Sequence, residues 1–139
     1  RHSVPLWNVR ELKNKPQEEW TYRKYFMTQN YLFPCNFVQV MTDHVYVHSI
    51  LPTGPGTCVF KCMMLIAEPA ETDKAKKYWE KNYNVVKEVF NEDFEIGEAI
   101  QAGLSTNAND NFVFGKYECG LHWGQQAIDD ALDGRLTAS

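Results

Sequence analysis

One long amphipathic stretch, residues 72–104, constrains the fold of this chain more than any other feature. Each residue of a helix advances about 100° around the axis. At that spacing, one set of mostly apolar positions in this stretch stays within about 40° of one line, as in a core-facing helix. Lysine and glutamate side chains fall on the opposite side. The pattern predicts a helix that begins at Thr72 and Asp73 and ends at Leu104. The apolar stripe consists of Trp79, Tyr83, Val86, Phe90, Gly97 and Leu104.

An acidic residue interrupts this stripe. If the helix is continuous, Asp93 lies near the middle of the apolar arc, between Phe90 and Gly97. A buried carboxylate must be paired, protonated or bound to a metal. Two structural roles for Asp93 stay open beside metal binding. Residues 91–93 could be a break between two helices, with Asp93 as an N-cap, or an arginine from elsewhere could pair with Asp93.

Composition limits the class of protein. A chain of 139 residues with 44% hydrophobic residues is one domain with a core of its own. Its net charge of −4 and scattered basic residues argue against a nucleic-acid partner. It has no apolar run long enough to span a membrane, so we expect a cytoplasmic protein with no membrane partner. Since it begins with Arg1 and shows no signal peptide, we expect a piece of a longer protein.

The cysteines are predicted to be free thiols in a reducing compartment. Cys58 and Cys62 are four residues apart on a predicted strand, hence about 13 Å apart, too far for a disulfide. No spacing typical of a zinc or iron–sulfur site occurs. The remaining two are Cys35 and Cys119.

Three strands are predicted to form an antiparallel meander. They cover Tyr31–Val40, His44–Leu51 and Thr57–Ala67, and the second alternates strictly between its two faces. A hairpin at residues 41–43 and a turn at residues 52–56 join them. A proline near the start of the first strand indicates an edge or a bulge there.

The remaining segments give weaker signals. Residues 1–30 are predicted to be an irregular, partly helical lead-in, Asn111–Tyr117 a short extended piece, and Trp123–Leu132 a closing helix. His44 and His48 are about 13 Å apart along one strand, which argues against a shared metal ion. We expect His44 at the hairpin end and His48 to be partly exposed.

The order of these elements resembles a known family. The chain is similar to the C-terminal part of the catalytic domain of the large (alpha) subunit of Rieske non-haem iron aromatic-ring-hydroxylating oxygenases, and the likeness spans about residues 31–136. It rests on motifs that occur in the family's order and spacing. These are Phe33-Pro34 with Cys35-Asn36, Pro52-Thr53-Gly54-Pro55, Glu92-Asp93, Gln101 and Gly103-Leu104.

The resemblance implies a specific chemistry. Asp93 matches the carboxylate of the family's two-histidine, one-carboxylate site for mononuclear Fe(II), and Gly97, one turn on, would add no bulk near the metal. It also implies a [2Fe–2S] Rieske cluster, an NAD(P)H-dependent reductase or ferredoxin partner, an aromatic or other apolar substrate, and a homo-oligomer. The Rieske motif and the two histidine ligands are absent from this chain. We therefore expect it to be inactive alone.

The implied fold is α+β, a partial START-like helix-grip in which an antiparallel sheet packs on a long C-terminal helix. The chain would divide into the lead-in of residues 1–30 and a catalytic-domain part of residues 31–139. The alternative function is a non-enzymatic protein of the same fold that binds an apolar ligand. Because upstream strands of the family's sheet are missing, we also expect self-association through the strand of Tyr31 or the strand of Thr57.

Overall fold

A computed structural model of the chain describes residues 1–108 and 111–136. The chain divides into two compact units. One unit, Arg1–Ala67 with Phe114–Ser139, carries a β-sheet and the last helix. The other, Glu68–Val113, carries the long helix. The predicted α+β class is confirmed.

In the described part of the chain the sheet is a five-stranded antiparallel meander in the order β1-β2-β3-β4-β5. Each strand pairs with its neighbours in the sequence, and β4 and β5 are long enough to form the longest ladder. Each pair of consecutive strands from β2 to β5 is joined by a short turn, because turn-forming residues directly follow each of these strands. The strands are β1 His2–Pro5, β2 Phe26–Leu32, β3 Asn36–Val40, β4 His44–Gly54 and β5 Thr57–Ile66.

Strand β4 shows the predicted alternation. His44, Tyr46 and His48 are buried on one face, while the residues between them are less buried. The predicted hairpin before β4 is also confirmed, since Met41 donates its backbone N–H to the carbonyl of His44 at 2.9 Å. At its other end β4 continues to Gly54, three residues beyond the predicted end, so the turn is tighter than expected.

The first predicted strand, residues 31–40, is wrong as a single strand. The chain turns at residues 33–35, and β2 and β3 on either side of this turn pair with each other. Pro34 has no backbone N–H and cannot continue a ladder, which is the physical reason for the break. The Tyr31 hydroxyl donates to the Pro34 carbonyl at 2.6 Å and ties the turn to the end of β2.

Residues 1–30 are not irregular throughout, which corrects the expected lead-in. They contain two 3₁₀ helices, Trp7–Asn14 and Gln17–Glu19, and the single-turn helix α1, Tyr22–Tyr25. They also provide β1 and most of β2. A four-residue strand is too short to show a period of its own, and its partner in β2 decides its structure.

The long helix α2 covers Asp73–Leu104, with both predicted ends confirmed. Thr72 caps its N-terminus, because the threonine hydroxyl accepts the backbone N–H of Ala75 at 3.2 Å. At the C-terminus the hydroxyls of Ser105 and Thr106 donate to carbonyls of the last turn. These side chains satisfy backbone groups that the helix itself leaves unpaired.

The closing helix α3 covers Cys119–Leu132, starting four residues before the predicted Trp123. His122 therefore lies inside this helix. Residues 111–117, predicted to be extended, form no strand. Beyond α3, Gly134 has a φ of 69°, where a glycine is favoured, and ends the helix.

Candidate functional site

The helix that carries Asp93 is unbroken. Residues 91–93 are helical and lie well inside α2. Asp93 is therefore not an N-cap, and the predicted alternative of two helices with a break between them is wrong. The arginine alternative finds no support within this unit, because residues 68–113 contain no arginine.

Asp93 continues the least exposed face of α2. That face follows spacings of three and four residues, as one side of an α-helix must. Asp93 comes three residues after the last partly buried position, so it extends the same line. Its own side chain is exposed, as are Tyr83, Gly97 and Leu104 of the predicted stripe. The partly buried residues are Ala75, Trp79, Asn82, Val86 and Phe90.

The immediate surroundings of Asp93 on α2 are apolar. Val89, Phe90, Ile96 and Gly97 occupy the positions three and four residues away, which are its neighbours on the helix surface. Val89 and Ile96 are 53% and 61% exposed. A Cβ added at Gly97 would meet nothing within 4 Å. The carboxylate thus projects from an open apolar surface.

The donor side chains that the structure describes do not complete an iron site. Within residues 1–108 and 111–136, no group of three or more His, Cys, Asp or Glu side chains could hold a metal ion. A divalent iron in a protein needs several such ligands on one side of the ion. Asp93 fits as one ligand of such a site and cannot form the site by itself.

His48 lies at the centre of an aromatic cluster and not at the surface, so its predicted partial exposure is wrong. Its side chain is fully buried. Its ring stacks on Phe37 of β3 at 4.3 Å and on Phe60 of β5 at 5.5 Å. Burial lowers the pKa of His48 below its ordinary value and raises the pKa of the Cys62 thiol, which is opposite His48 on β5.

His44 lies at the start of β4, as expected for the end of a hairpin, and is buried. Its Nδ1 atom is 2.7 Å from a carboxylate oxygen of Asp43. Its ring meets Tyr46 edge-on at 4.7 Å. Because Tyr46 also contacts His48, an aromatic ring lies between the two histidines. His2 and His122 are exposed.

A groove of about 400 Å³ lies within the sheet unit, beside the turn between β2 and β3 and the end of α3. Sequence reasoning missed it, because its walls come from segments far apart in the chain. Burial and the nearby Cys35 raise the pKa of Tyr31, one of its lining residues. The groove is lined by Tyr31, Phe33, Pro34, Cys35, Phe37, Ile50, Pro52, Ile128, Ala131 and Leu132.

Comparison with known proteins identifies the family. The family model described as the ring hydroxylating alpha subunit (catalytic domain) matches residues 2–134. The chain belongs to this family. Neither the curated proteins nor the solved structures gave a significant match. The resemblance seen in the sequence is confirmed, and the match extends it upstream into β1 and β2.

Because the chain belongs to the ring-hydroxylating family, it is a catalytic-domain sequence from a family of oxidoreductases. The family implies non-haem iron and a Rieske cluster in its full-length proteins. All four cysteines of this chain are free thiols. No helix among the described residues is both long and apolar enough to cross a membrane.

Proposed function

We propose that this chain is the part of an oxygenase catalytic domain that supplies the carboxylate ligand, Asp93, to a mononuclear Fe(II). The observation that carries the proposal is the position of Asp93 on α2, in line with the partly buried face of an unbroken helix. The family match over residues 2–134 supports it. Two histidines outside this chain would complete the ligand set.

The iron, when bound, would activate O₂ so that an aromatic or other apolar substrate is hydroxylated. The residues of this chain have simpler tasks. The helical backbone places the Asp93 side chain on one face of α2, and its negative charge would offset part of the charge of the metal. The apolar neighbours Val89, Phe90 and Ile96 offer a surface that water solvates poorly and that suits an apolar substrate.

The electrons would come from an NAD(P)H-dependent reductase, directly or through a ferredoxin, and would pass through the [2Fe–2S] Rieske cluster of the full-length oxygenase. The cysteine and histidine spacings typical of the ligands of that cluster do not occur in this sequence. We infer a homo-oligomeric enzyme in the cytoplasm. The free thiols support a reducing compartment.

The test is Asp93→Ala in the full-length oxygenase, with Glu92→Ala and Glu95→Ala as matched controls. All three carboxylates are exposed on the same helix, but the 100° spacing places the two glutamates on the side opposite the apolar arc. Asp93→Ala should lose the mononuclear iron and at least about a hundredfold in hydroxylation, while the absorption of the Rieske cluster stays unchanged.

The controls should keep both iron and activity, because neither glutamate lies in the apolar arc with Asp93. Each control changes the charge of the helix by the same amount as Asp93→Ala, so a loss seen only in Asp93→Ala is not an effect of charge. If Asp93→Ala keeps activity within a few-fold of the wild type, Asp93 is not a ligand. Loss of iron in all three variants would also contradict the proposal, because it would point to the charge of the helix and not to one ligand.

A further inference from the structure

Gly97 lies in the interior of the long helix α2, one turn after Asp93. Glycine is among the least favourable residues in a helix interior, because its backbone loses the most conformational freedom on folding. The backbone here does not require it, since Gly97 is helical and its φ is not positive. A Cβ built on Gly97 meets nothing within 4 Å among the described residues of its unit. Within those residues, neither conformation nor packing accounts for a glycine at this position.

The missing side chain leaves a notch in the surface of α2, which we call the Gly97 notch. Its borders are the residues three and four positions away, which are the neighbours of Gly97 on a helix. Asp93, the proposed iron ligand, borders the notch on its N-terminal side, and Gln101 on its C-terminal side. Phe94 and Ile100, which are 38% and 49% exposed, add apolar surface around it. The notch is therefore open, mostly apolar and next to the proposed site of the iron.

Glycine keeps space open on the C-terminal side of Asp93. Four helical residues rise about 6 Å, and side chains on a helix lean towards its N-terminus. A side chain at residue 97 would therefore lean towards Asp93 and fill the space beside it. With glycine there, a substrate whose reacting ring lies at the iron can extend a further group over residue 97.

The border of the notch favours an aromatic group in this space. The Phe94 ring is nearly parallel to the ring of Phe90, with 6.0 Å between the centroids and 18° between the planes. These two residues flank Asp93 in the sequence and give α2 an aromatic surface beside it. A third ring that packs on such a surface gains more than its buried area alone provides, and an aliphatic chain lacks this gain.

We propose that Gly97 determines the size of the substrate at the proposed iron site. It admits substrates with two linked aromatic rings, of which one lies at the iron and the other in the Gly97 notch. This inference rests on the proposed function, because Asp93 places the iron. Gly97 itself contributes only the open space, so a side chain there should exclude the second ring and leave the binding of the first ring unchanged.

The binding of biphenyl and benzene to the full-length oxygenase tests the inference. Equilibrium dialysis without a reductant measures both Kd values in the absence of turnover. Gly97→Leu should raise the Kd for biphenyl at least about tenfold, because the added side chain overlaps the second ring. The Kd for benzene should stay within about twofold of the wild type, since benzene occupies only the space at the iron.

Gly97→Ala adds a single methyl group and should raise the Kd for biphenyl at least about fourfold. Alanine favours a helix more than glycine does, so this variant carries the test if Gly97→Leu does not fold. Circular dichroism and iron analysis check that each variant folds and keeps the mononuclear iron.

Gly103→Leu is the matched control. Gly103 lies in the same helix, and a Cβ built on it also meets nothing within 4 Å among the described residues. It is ten residues after Asp93, hence about 15 Å along the helix axis, too far to border the proposed site. This variant should bind both compounds as the wild type does.

Four results would overturn the inference. A wild-type enzyme that does not bind biphenyl excludes a substrate with two rings. Gly97 variants that keep the wild-type Kd for biphenyl exclude the notch as its site, and so does a Gly103→Leu variant that raises this Kd as much as Gly97→Leu. An equal rise for both compounds, or a loss of iron in Gly97→Ala, would show that the glycine makes room for another segment of the full-length protein.

The proposed function fails in a different measurement, which is the iron content of Asp93→Ala. If that variant keeps the mononuclear iron, Asp93 is not the ligand, whatever the two Kd values are. If it loses the iron while the Gly97 variants bind biphenyl as the wild type does, only the inference about Gly97 fails.

Discussion

Replacing His48 by phenylalanine should remove a pH-dependent loss of stability from this protein. His48 is fully buried, and its ring stacks on Phe37 and Phe60. A phenyl ring can take the place of the imidazole in this stack but cannot bind a proton. The variant therefore removes one titrating group while it keeps an aromatic ring between the same neighbours.

The sign follows from the direction of the pKa shift. Burial lowers the pKa of His48 in the folded protein below the value of about 6.5 that histidine has in the unfolded chain. Below about pH 6.5 the unfolded chain binds a proton that the folded chain does not yet bind. As the pH is lowered from this value, the free energy of unfolding therefore decreases until the pKa of the folded protein is reached. For one proton the slope cannot exceed about 1.4 kcal/mol per pH unit.

Urea unfolding of both proteins at about pH 7.5, 6.5 and 5.5 measures this effect. The free energy of unfolding of the wild type, minus that of His48→Phe, should be constant above about pH 7. It should then decrease by roughly 1 kcal/mol as the pH falls to about 5.5. Any constant offset from the substitution cancels in this comparison.

His122→Phe is the control, because His122 is an exposed histidine on α3. This variant should follow the pH dependence of the wild type. If the curves of the wild type and His48→Phe stay parallel over the whole range, the folded protein does not resist protonation of His48, and the reasoning is refuted.

Three further predictions are smaller. Thr72→Ala removes the hydroxyl that accepts the N–H of Ala75 and should lower the free energy of unfolding in urea by about 1 kcal/mol. Thr72→Asp keeps a capping oxygen and should not lower it. Equal losses in the two variants would exclude the cap. Arg135→Ala should raise the pKa of Asp130 towards its ordinary value in an NMR titration, because the hydrogen bond from Arg135 is the main reason why this pKa is low. An unchanged pKa of Asp130 would contradict this. Calorimetric titration of this chain with Fe(II) should show weak binding or none, because Asp93 alone is a poor site; tight stoichiometric binding would reveal a complete site.

Elements with a sustained period can be predicted from the sequence. Both ends of α2 follow from the capping residue Thr72 and from the apolar period up to Leu104. The alternation of β4 follows from its period of two. Periodicity does not show which face is inward, however, and for this reason the sequence predicts partial exposure for His48 although this residue is fully buried.

Features decided by distant partners cannot be predicted in this way. Strand β1 has four residues and exists because β2 pairs with it. The sequence indicates an irregularity at Pro34, but only the pairing of β2 with β3 shows that the chain reverses there. Asp93 stands out by its position in the apolar arc, whereas its proposed role as an iron ligand depends on two histidines that the histidine spacing of this sequence does not provide.

The central claim is that Asp93 is the carboxylate ligand of the mononuclear iron, and Asp93→Asn tests it most directly. The amide has nearly the size of the carboxylate but no charge, so helix and packing are preserved while the ligand is weakened. Iron analysis of the full-length oxygenase should show that the variant keeps the two cluster irons of its [2Fe–2S] centre and loses the mononuclear iron. A variant that keeps the full iron content and an unchanged affinity for Fe(II) would contradict the assignment.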